Sequence, residues 1–361
     1  MAQYTIYKQL NLSTDKFTNT NKVTTGIWNS SAGTLNAVNM ATASLSSSNV
    51  AYFRTVTEES GSSAVKSFDV SYGHVTGAGS STTDYKYSTR VVYRQFANAI
   101  LDDPLKKFSF MNHATGSNTA VTETDDFYAI VVKSAKIKDR LHTKWTMTLS
   151  GSKGTAAAPS GETLHLTNYT ASVFPSVAGD YYLVISGSAG VPGESGGVAG
   201  TVYGYFFPDI ATILLYPTKL SASLPGSTGY ALSGSSGYYT GIGQGLAPSS
   251  ATTANNSGKF LDVLMTNASS FTLRTEQDLN QTQYFCRLFS GEYNFTSNPT
   301  FIKSGSELGD LLDNQVGDPS VYITGVGLYN DHNELIAVAK VNEPIKKNFS
   351  TEQNFVVKID G

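Results

Sequence analysis

The chain has 361 residues, a 40% hydrophobic fraction, a formal charge of −3 and a pI near 6.0. That is enough apolar material for one large or two ordinary domains. It excludes a duplex-binding surface, because the short basic runs Lys106-Lys107, Lys133 to Arg140 and Lys346-Lys347 have acidic or apolar neighbours instead of converging on phosphates.

Charged residues make up only 15% of the chain, against about 25% in an average soluble protein. The exterior is therefore built from neutral Ser, Thr, Asn and Gly, which cost less to desolvate against another subunit than Lys or Glu. Met1-Ala2-Gln3-Tyr4-Thr5 has no basic segment followed by an apolar one, and no stretch approaches ~18 continuous apolar residues. These features predict neither a signal peptide nor a membrane span. The single cysteine, Cys286, alternates with Tyr284 and Leu288 as a small core residue would, and allows no intrachain disulfide.

Residues 1–45 are polar, with isolated apolar side chains at Tyr4, Ile6, Tyr7, Leu10, Val23, Ile27 and Trp28. So thin a stretch cannot bury a core of its own and reads as a docking arm, with residues 46–361 as a β-rich body. Ile27 and Trp28 give that arm a large anchor for a neighbour's groove. Packing of Trp28 on its own domain is the equal alternative.

Ser88 to Leu101 places Val91, Val92, Phe96, Ile100 and Leu101 near the 3.6 repeat, with Asp102-Asp103-Pro104 as the stop. This predicts the principal helix, packed on a sheet. Asp126 to Val132, His142 to Leu149 and Thr163 to Thr167 read as strands, with Gly151 to Gly161 as a loop. Tyr181 to Ser186 and Val202 to Tyr216 follow, the latter bent at Phe206-Phe207-Pro208-Asp209.

Gly187 to Gly200 and Gly226 to Ser257 are rich in Gly and Ser. Loops beyond about 12–15 residues are usually functional or ordered by a partner. Tyr230, Tyr238 and Tyr239 are the contact residues expected in the second of them. Leu308, Leu311 and Leu312 predict a short helix within Ser304 to Asn314. Val321 to Tyr329 and Glu334 to Val341 alternate as a hairpin around Asn330-Asp331-His332-Asn333, and Asn354 to Ile359 adds a strand. The fold class is mainly β, in sandwich-like layers with one principal helix and long Gly/Ser-rich loops.

Chemistry-bearing motifs are weak. Gly193-Glu194-Ser195-Gly196-Gly197 resembles the nucleophile segment of chymotrypsin-like proteases, but the flanking cysteines and an Ala-Ala-His-Cys base segment are missing. The glycine runs at Gly73 to Gly79 and Gly241 to Gly245 lack the following helix and Lys of a phosphate loop. The histidines His74, His113, His142, His165 and His332 have no zinc-like spacing. Glu123, Asp125 and Asp126 form a solvated acidic turn, with a loop calcium site as the minor alternative. No catalytic residue, metal or cofactor is expected.

One set of motifs does carry a family signal. Thr20 to Trp28, Ser71-Tyr72-Gly73-His74, Tyr93-Arg94-Gln95-Phe96 and Tyr203 to Asp209 occur in this order. Tyr293 to Phe301, Tyr322 to Asp331, Glu334 to Lys340 and Pro344 to Lys347 complete it. Together they resemble a family of virion structural proteins of large contractile-tailed bacteriophages, including those of marine cyanobacteria. The resemblance implies a non-enzymatic component of the particle, in the tail or baseplate, assembled in the host cytoplasm. Its implied partners are other virion proteins and copies of itself, with no nucleic acid and no membrane. Two alternatives stay open: a tail module gripping host-surface glycans, and a neck or capsid-associated protein.

Overall fold

The computed structural model describes residues 7–28, 33–37, 40–42, 53–58, 65–80, 87–114, 120–155, 158–193, 200–225, 245–251, 255–265, 269–296, 298–305 and 310–360. The chain divides into a central unit, Val23–Gln277, and a terminal unit made of Met1–Lys22 with Asp278–Gly361. The division falls near residues 22 and 277 and not near residue 45. The described strands among the first 45 residues are divided between the units, since they pair with later segments.

In chain order, β1 (Lys16–Gly26), β2 (Thr34–Asn36), β3 (Met40–Thr42), β4 (Phe53–Glu58) and β5 (Val65–His74) precede α1 (Ser88–Leu101). β6 (Phe108–Met111), β7 (Val121–Thr124), β8 (Asp126–Val132), β9 (Arg140–Leu141), β10 (Thr146–Thr155) and β11 (Ala158–Ser176) follow. Next come β12 (Gly179–Ser188), β13 (Val191–Pro192), β14 (Val202–Phe207), β15 (Thr212–Leu215), α2 (Pro217–Ser223) and α3 (Asn256–Leu264). β16 (Ser270–Thr272), β17 (Arg274–Leu288), β18 (Val321–Tyr329), β19 (Leu335–Lys347) and β20 (Gln353–Asp360) end the series.

The central unit is one large antiparallel sheet in the order β2-β16-β10-β11-β12-β14-β15-β8-β5-β4-β3, with β13 beside β12. Residues alternate between its faces as the pleat requires. On β8, Tyr128, Ile130 and Val132 join one hydrophobic cluster, while Phe127 and Ala129 join another. β14 and β15 are buried on both faces, which is why Val202 to Leu215 reads as nearly continuous apolar sequence. A register shift between Val184 and Ile185 leaves Tyr203 as the extra residue on β14, so it enters the first cluster while Val202 enters the second. Gly204 follows, and a Cβ there would lie 2.0 Å from the Leu214 carbonyl oxygen, so only glycine allows the close approach to β15.

The sheet curls in a barrel-like manner. Phe68 of β5 and Phe271 of β16 meet edge to face with centroids 5.7 Å apart, although six strands lie between them in hydrogen-bonding order. Trp28, Trp145 and Phe206 complete this aromatic centre, and α2 and α3 cover it with Leu220, Leu224, Phe260, Leu261 and Leu264. The opposite face is covered by α1 through Val92, Tyr93, Ala97 and Ile100, and by the β6–β7 hairpin through Phe108 and Phe110. The Tyr93 hydroxyl donates to the Thr124 carbonyl and accepts from the Phe108 N–H, both at 2.9 Å, which fixes the helix to the hairpin. Burial, then the acidic neighbours, push its phenol up to about 12.

The mainly β fold and the helix over Ser88–Leu101 follow the sequence expectation. Three local readings do not. Gly151 to Gly161 belongs largely to the β10–β11 hairpin, whose ladder runs from Met147↔Leu166 to Thr155↔Ala158, because cross-strand pairing carries Gly and Ser along with it. The helix expected within Ser304 to Asn314 is replaced, in its described part, by a bridge between Ile302 and Leu311 and a 3-10 turn at Asp313–Gln315. At the end of the Gly226 to Ser257 segment, Asn255 accepts a hydrogen bond from the Gly258 N–H at 3.1 Å and starts α3.

In the terminal unit β17 lies between β1 and β20, with β17 and β20 in register from Gln281↔Asp360 to Leu288↔Gln353. β18 and β19 form a separate hairpin. Asn330 turns its chain, its Oδ1 accepting from the N–H groups of His332 and Glu334, and Asn333 takes a positive φ of 62°. Among the described residues, neither hydrophobic cluster includes one of this unit.

Candidate interaction surface

The buried hydrophobic side chains of the terminal unit are, among the described residues, Phe301, Val321, Leu328 and Val357. Against this stands a long series of exposed ones. The unit holds less than a third of the chain, yet most of the large exposed hydrophobic side chains belong to it. Monomeric proteins rarely leave contiguous apolar area uncovered, and sheet faces bury such area against another layer.

The β18–β19 hairpin concentrates the effect. Leu328 pairs with Ala337 and Val326 with Ala339 on one face. The other face carries Tyr322 opposite Lys346, Gly325 opposite Lys340, and Gly327 opposite Val338. A register shift between Leu328 and Tyr329 leaves Ile336 extra and brings Tyr329 opposite Leu335. Tyr322, Ile336 and Val338 are each 63% exposed and Leu335 is 52% exposed. The Tyr7 ring lies 4.8 Å from that of Tyr329 and extends the patch.

The hairpin's edges are guarded where its face is not. Lys340, Pro344 and Lys346 punctuate β19, and Lys and Pro on an edge discourage strand addition. An exposed apolar face with blunted edges suits face-to-face burial better than β-augmentation. The signal was present in sequence: Leu335-Ile336-Ala337-Val338-Ala339 is apolar on both strand faces, which a half-solvated hairpin does not need.

The anchor residues named from sequence lie elsewhere. Ile27 and Trp28 are 6% and 4% exposed within the core of the central unit, so they are not offered to a neighbouring chain. Tyr230, Tyr238 and Tyr239 lie outside the described residues, as does Ser195.

Several of the described titratable groups are engaged in pairs. Asp125 Oδ1 takes Lys107 Nζ at 2.7 Å, while Asp126 turns the other way and accepts from the Tyr72 hydroxyl at 2.9 Å. Among the described residues no three His, Cys, Asp or Glu side chains form a group able to hold a metal ion. His142 and Arg140 share the Glu276 carboxylate, and His165 Nδ1 meets the Thr148 hydroxyl at 3.0 Å. Burial raises the half-buried Cys286 thiol, with Asp15 adding to it, so it is a poor nucleophile.

Burial also raises Asp126, opposed by the bonds from Tyr72 and Thr124 and by His74. A carboxylate raised in the fold contributes stability at low pH that is lost as pH rises through its folded value. Asp126→Asn is therefore expected to stabilise the chain at neutral pH, with the advantage over the parent shrinking as pH falls toward 3.8, the ordinary value. Urea midpoints across that range check it.

No helix of the described residues is long and apolar enough to cross a membrane. Comparison with protein-family models, with curated proteins and with solved structures gives no match.

Proposed function

We propose that this chain is a non-enzymatic structural component of a tailed-phage virion, in the tail or baseplate, working through protein–protein interfaces. The observation that carries the reading is the terminal unit: two thin sheets with few buried hydrophobic side chains and the exposed face of Tyr322, Tyr329, Leu335, Ile336 and Val338. The order of motifs from Thr20 to Lys347 supplies the particle type, by resemblance. Low charge supports it from the other side, since neutral surfaces are covered at small desolvation cost. The partners proposed are neighbouring virion subunits, copies of this chain among them.

The test is a triple replacement, Leu335→Ser, Ile336→Ser and Val338→Ser, followed by particle assembly and by unfolding of the purified chain. At about 1.5–3 kcal/mol for each aliphatic side chain buried, affinity for the covering subunit should fall at least about a hundredfold. The unfolding transition of the central unit should not move. Normal incorporation of the variant would remove the surface from the account. Binding of purified parent chain to a glycan array, lost in the variant, would instead favour host-surface recognition.

A further inference from the structure

We propose that Lys347 and Asn294 become joined by an intramolecular isopeptide bond, a self-driven modification that staples the terminal unit. Lys347, the last residue of β19, is 0% exposed. Its Nζ lies 2.9 Å from Asn294 Oδ1, 3.0 Å from the Ser290 carbonyl oxygen and 2.8 Å from that of Asn348. All three are neutral oxygens. A buried ammonium usually has a carboxylate beside it, because desolvation of the charge is otherwise uncompensated. Burial here favours the free amine, with Glu292 and then Glu352 opposing it weakly. Desolvation is one of the ways in which proteins turn a lysine into a nucleophile.

The acceptor is held as firmly as the donor. Asn294 is buried, and its Nδ2 donates to the Ser290 carbonyl at 2.7 Å, which fixes the plane of the carboxamide. Lys347 is fixed by its pairing with Val321. Beyond it, the Asn348 side chain is held by Asp318 and by the Ser350 N–H. An amine in hydrogen-bond contact with an amide oxygen stands near the amide carbon, and reacting atoms held about 3–3.5 Å apart gain most of the advantage of proximity.

The chemistry balances without a co-reactant. One ammonium proton passes to a carboxylate; of the two whose charge acts on Lys347, Glu292 acts more strongly than Glu352, and Lys8 and the Phe289 N–H keep it ionised. The Nζ lone pair attacks Asn294 Cγ and forms the new C–N bond. A second proton moves from Nζ to Nδ2, the Cγ–Nδ2 bond breaks, and ammonia leaves with the first proton as ammonium. Nothing is oxidised or reduced.

The bond would supply what the unit lacks. Small units with little core usually rely on disulfides, metals or association, and a chain with one cysteine cannot form an internal disulfide. The link closes a span of 53 residues, and cross-links over spans of that size restrict the unfolded chain strongly. This inference does not rest on the assembly reading.

The experiment is the intact mass of the purified full-length chain, followed by tryptic digestion and fragmentation. The expected result is a mass below that of the sequence by one ammonia, located to a branched peptide joining the segments of Asn294 and Lys347. Lys347→Met and Asn294→Ala should each show the full mass their sequences dictate, and Glu292→Gln should leave a mixture of joined and open chains. The parent result is decisive even where a variant folds poorly. A parent chain at full mass, or an ammonia deficit located to other residues, would overturn the proposal.

Discussion

Trp28→Ala is expected to destabilise the isolated chain by about 3–5 kcal/mol, the usual cost of emptying a large aromatic site in a packed core. Trp28 is 4% exposed and meets Phe271 and Phe68 with ring centroids 5.0 and 6.4 Å away. Those two rings also touch each other where the curled sheet closes on itself, so a void at Trp28 opens the seam between β5 and β16. Trp28→Phe should cost less. It keeps most of the ring volume, and it removes an indole N–H that is buried without an acceptor, whose desolvation the parent already bears. Urea unfolding of the two variants checks both statements. If Trp28→Ala shifted stability by less than about 0.5 kcal/mol, as an exposed substitution does, the residue would be an anchor for a neighbour and the core assignment would fail. For the same reason, removing residues 1–30 should unfold the central sheet and not merely detach a docking segment.

This case shows what could be read from sequence. α1 was legible to its ends because an amphipathic repeat and the Asp102-Asp103-Pro104 stop act locally. β8, β14 and β15 were legible because strands buried on both faces are apolar throughout. The β18–β19 hairpin announced itself through its Asn-rich turn. By contrast, Lys16–Gly26 has eleven exposed residues and no apolar period, and it is a strand only because it lies against β17. The β10–β11 hairpin has Gly and Ser where strand propensity is weakest, and its length is set by the cross-strand ladder. Trp28 posed the same difficulty in one residue. Its flanking sequence is polar, so nothing local distinguishes an anchor for another chain from a plug for a core whose other walls lie 40 and 243 residues downstream. The buried Lys347 is a tertiary fact of the same kind. Sequence supplied the candidates, and pairing decided which were covered.

Lys136→Ala is the second large effect, about 3–5 kcal/mol, the usual cost of taking one member from a buried ion pair. Lys136 Nζ reaches Glu58 Oε1 at 2.5 Å, and the side chains are only 15% and 4% exposed. The Ser67 hydroxyl donates to the same oxygen at 3.0 Å and is too weak a partner to replace the ammonium. A second pair of the same kind joins Lys133 to Asp69 of β5, with the Thr55 hydroxyl of β4 on the other carboxylate oxygen at 2.6 Å. There the side chains are 31% and 19% exposed, so water compensates for the lost partner. Lys133→Ala should accordingly cost only about 1 kcal/mol. Replacing both members of the buried pair, Glu58→Leu with Lys136→Met, should recover most of the loss, since a well-packed apolar pair avoids the desolvation that the ions bear. Urea unfolding of the single and double variants measures the coupling directly. Equal costs for Lys133→Ala and Lys136→Ala would show that burial does not set the strength of these bridges, and a double variant as unstable as Lys136→Ala would show that packing, not the broken ion pair, carries the penalty.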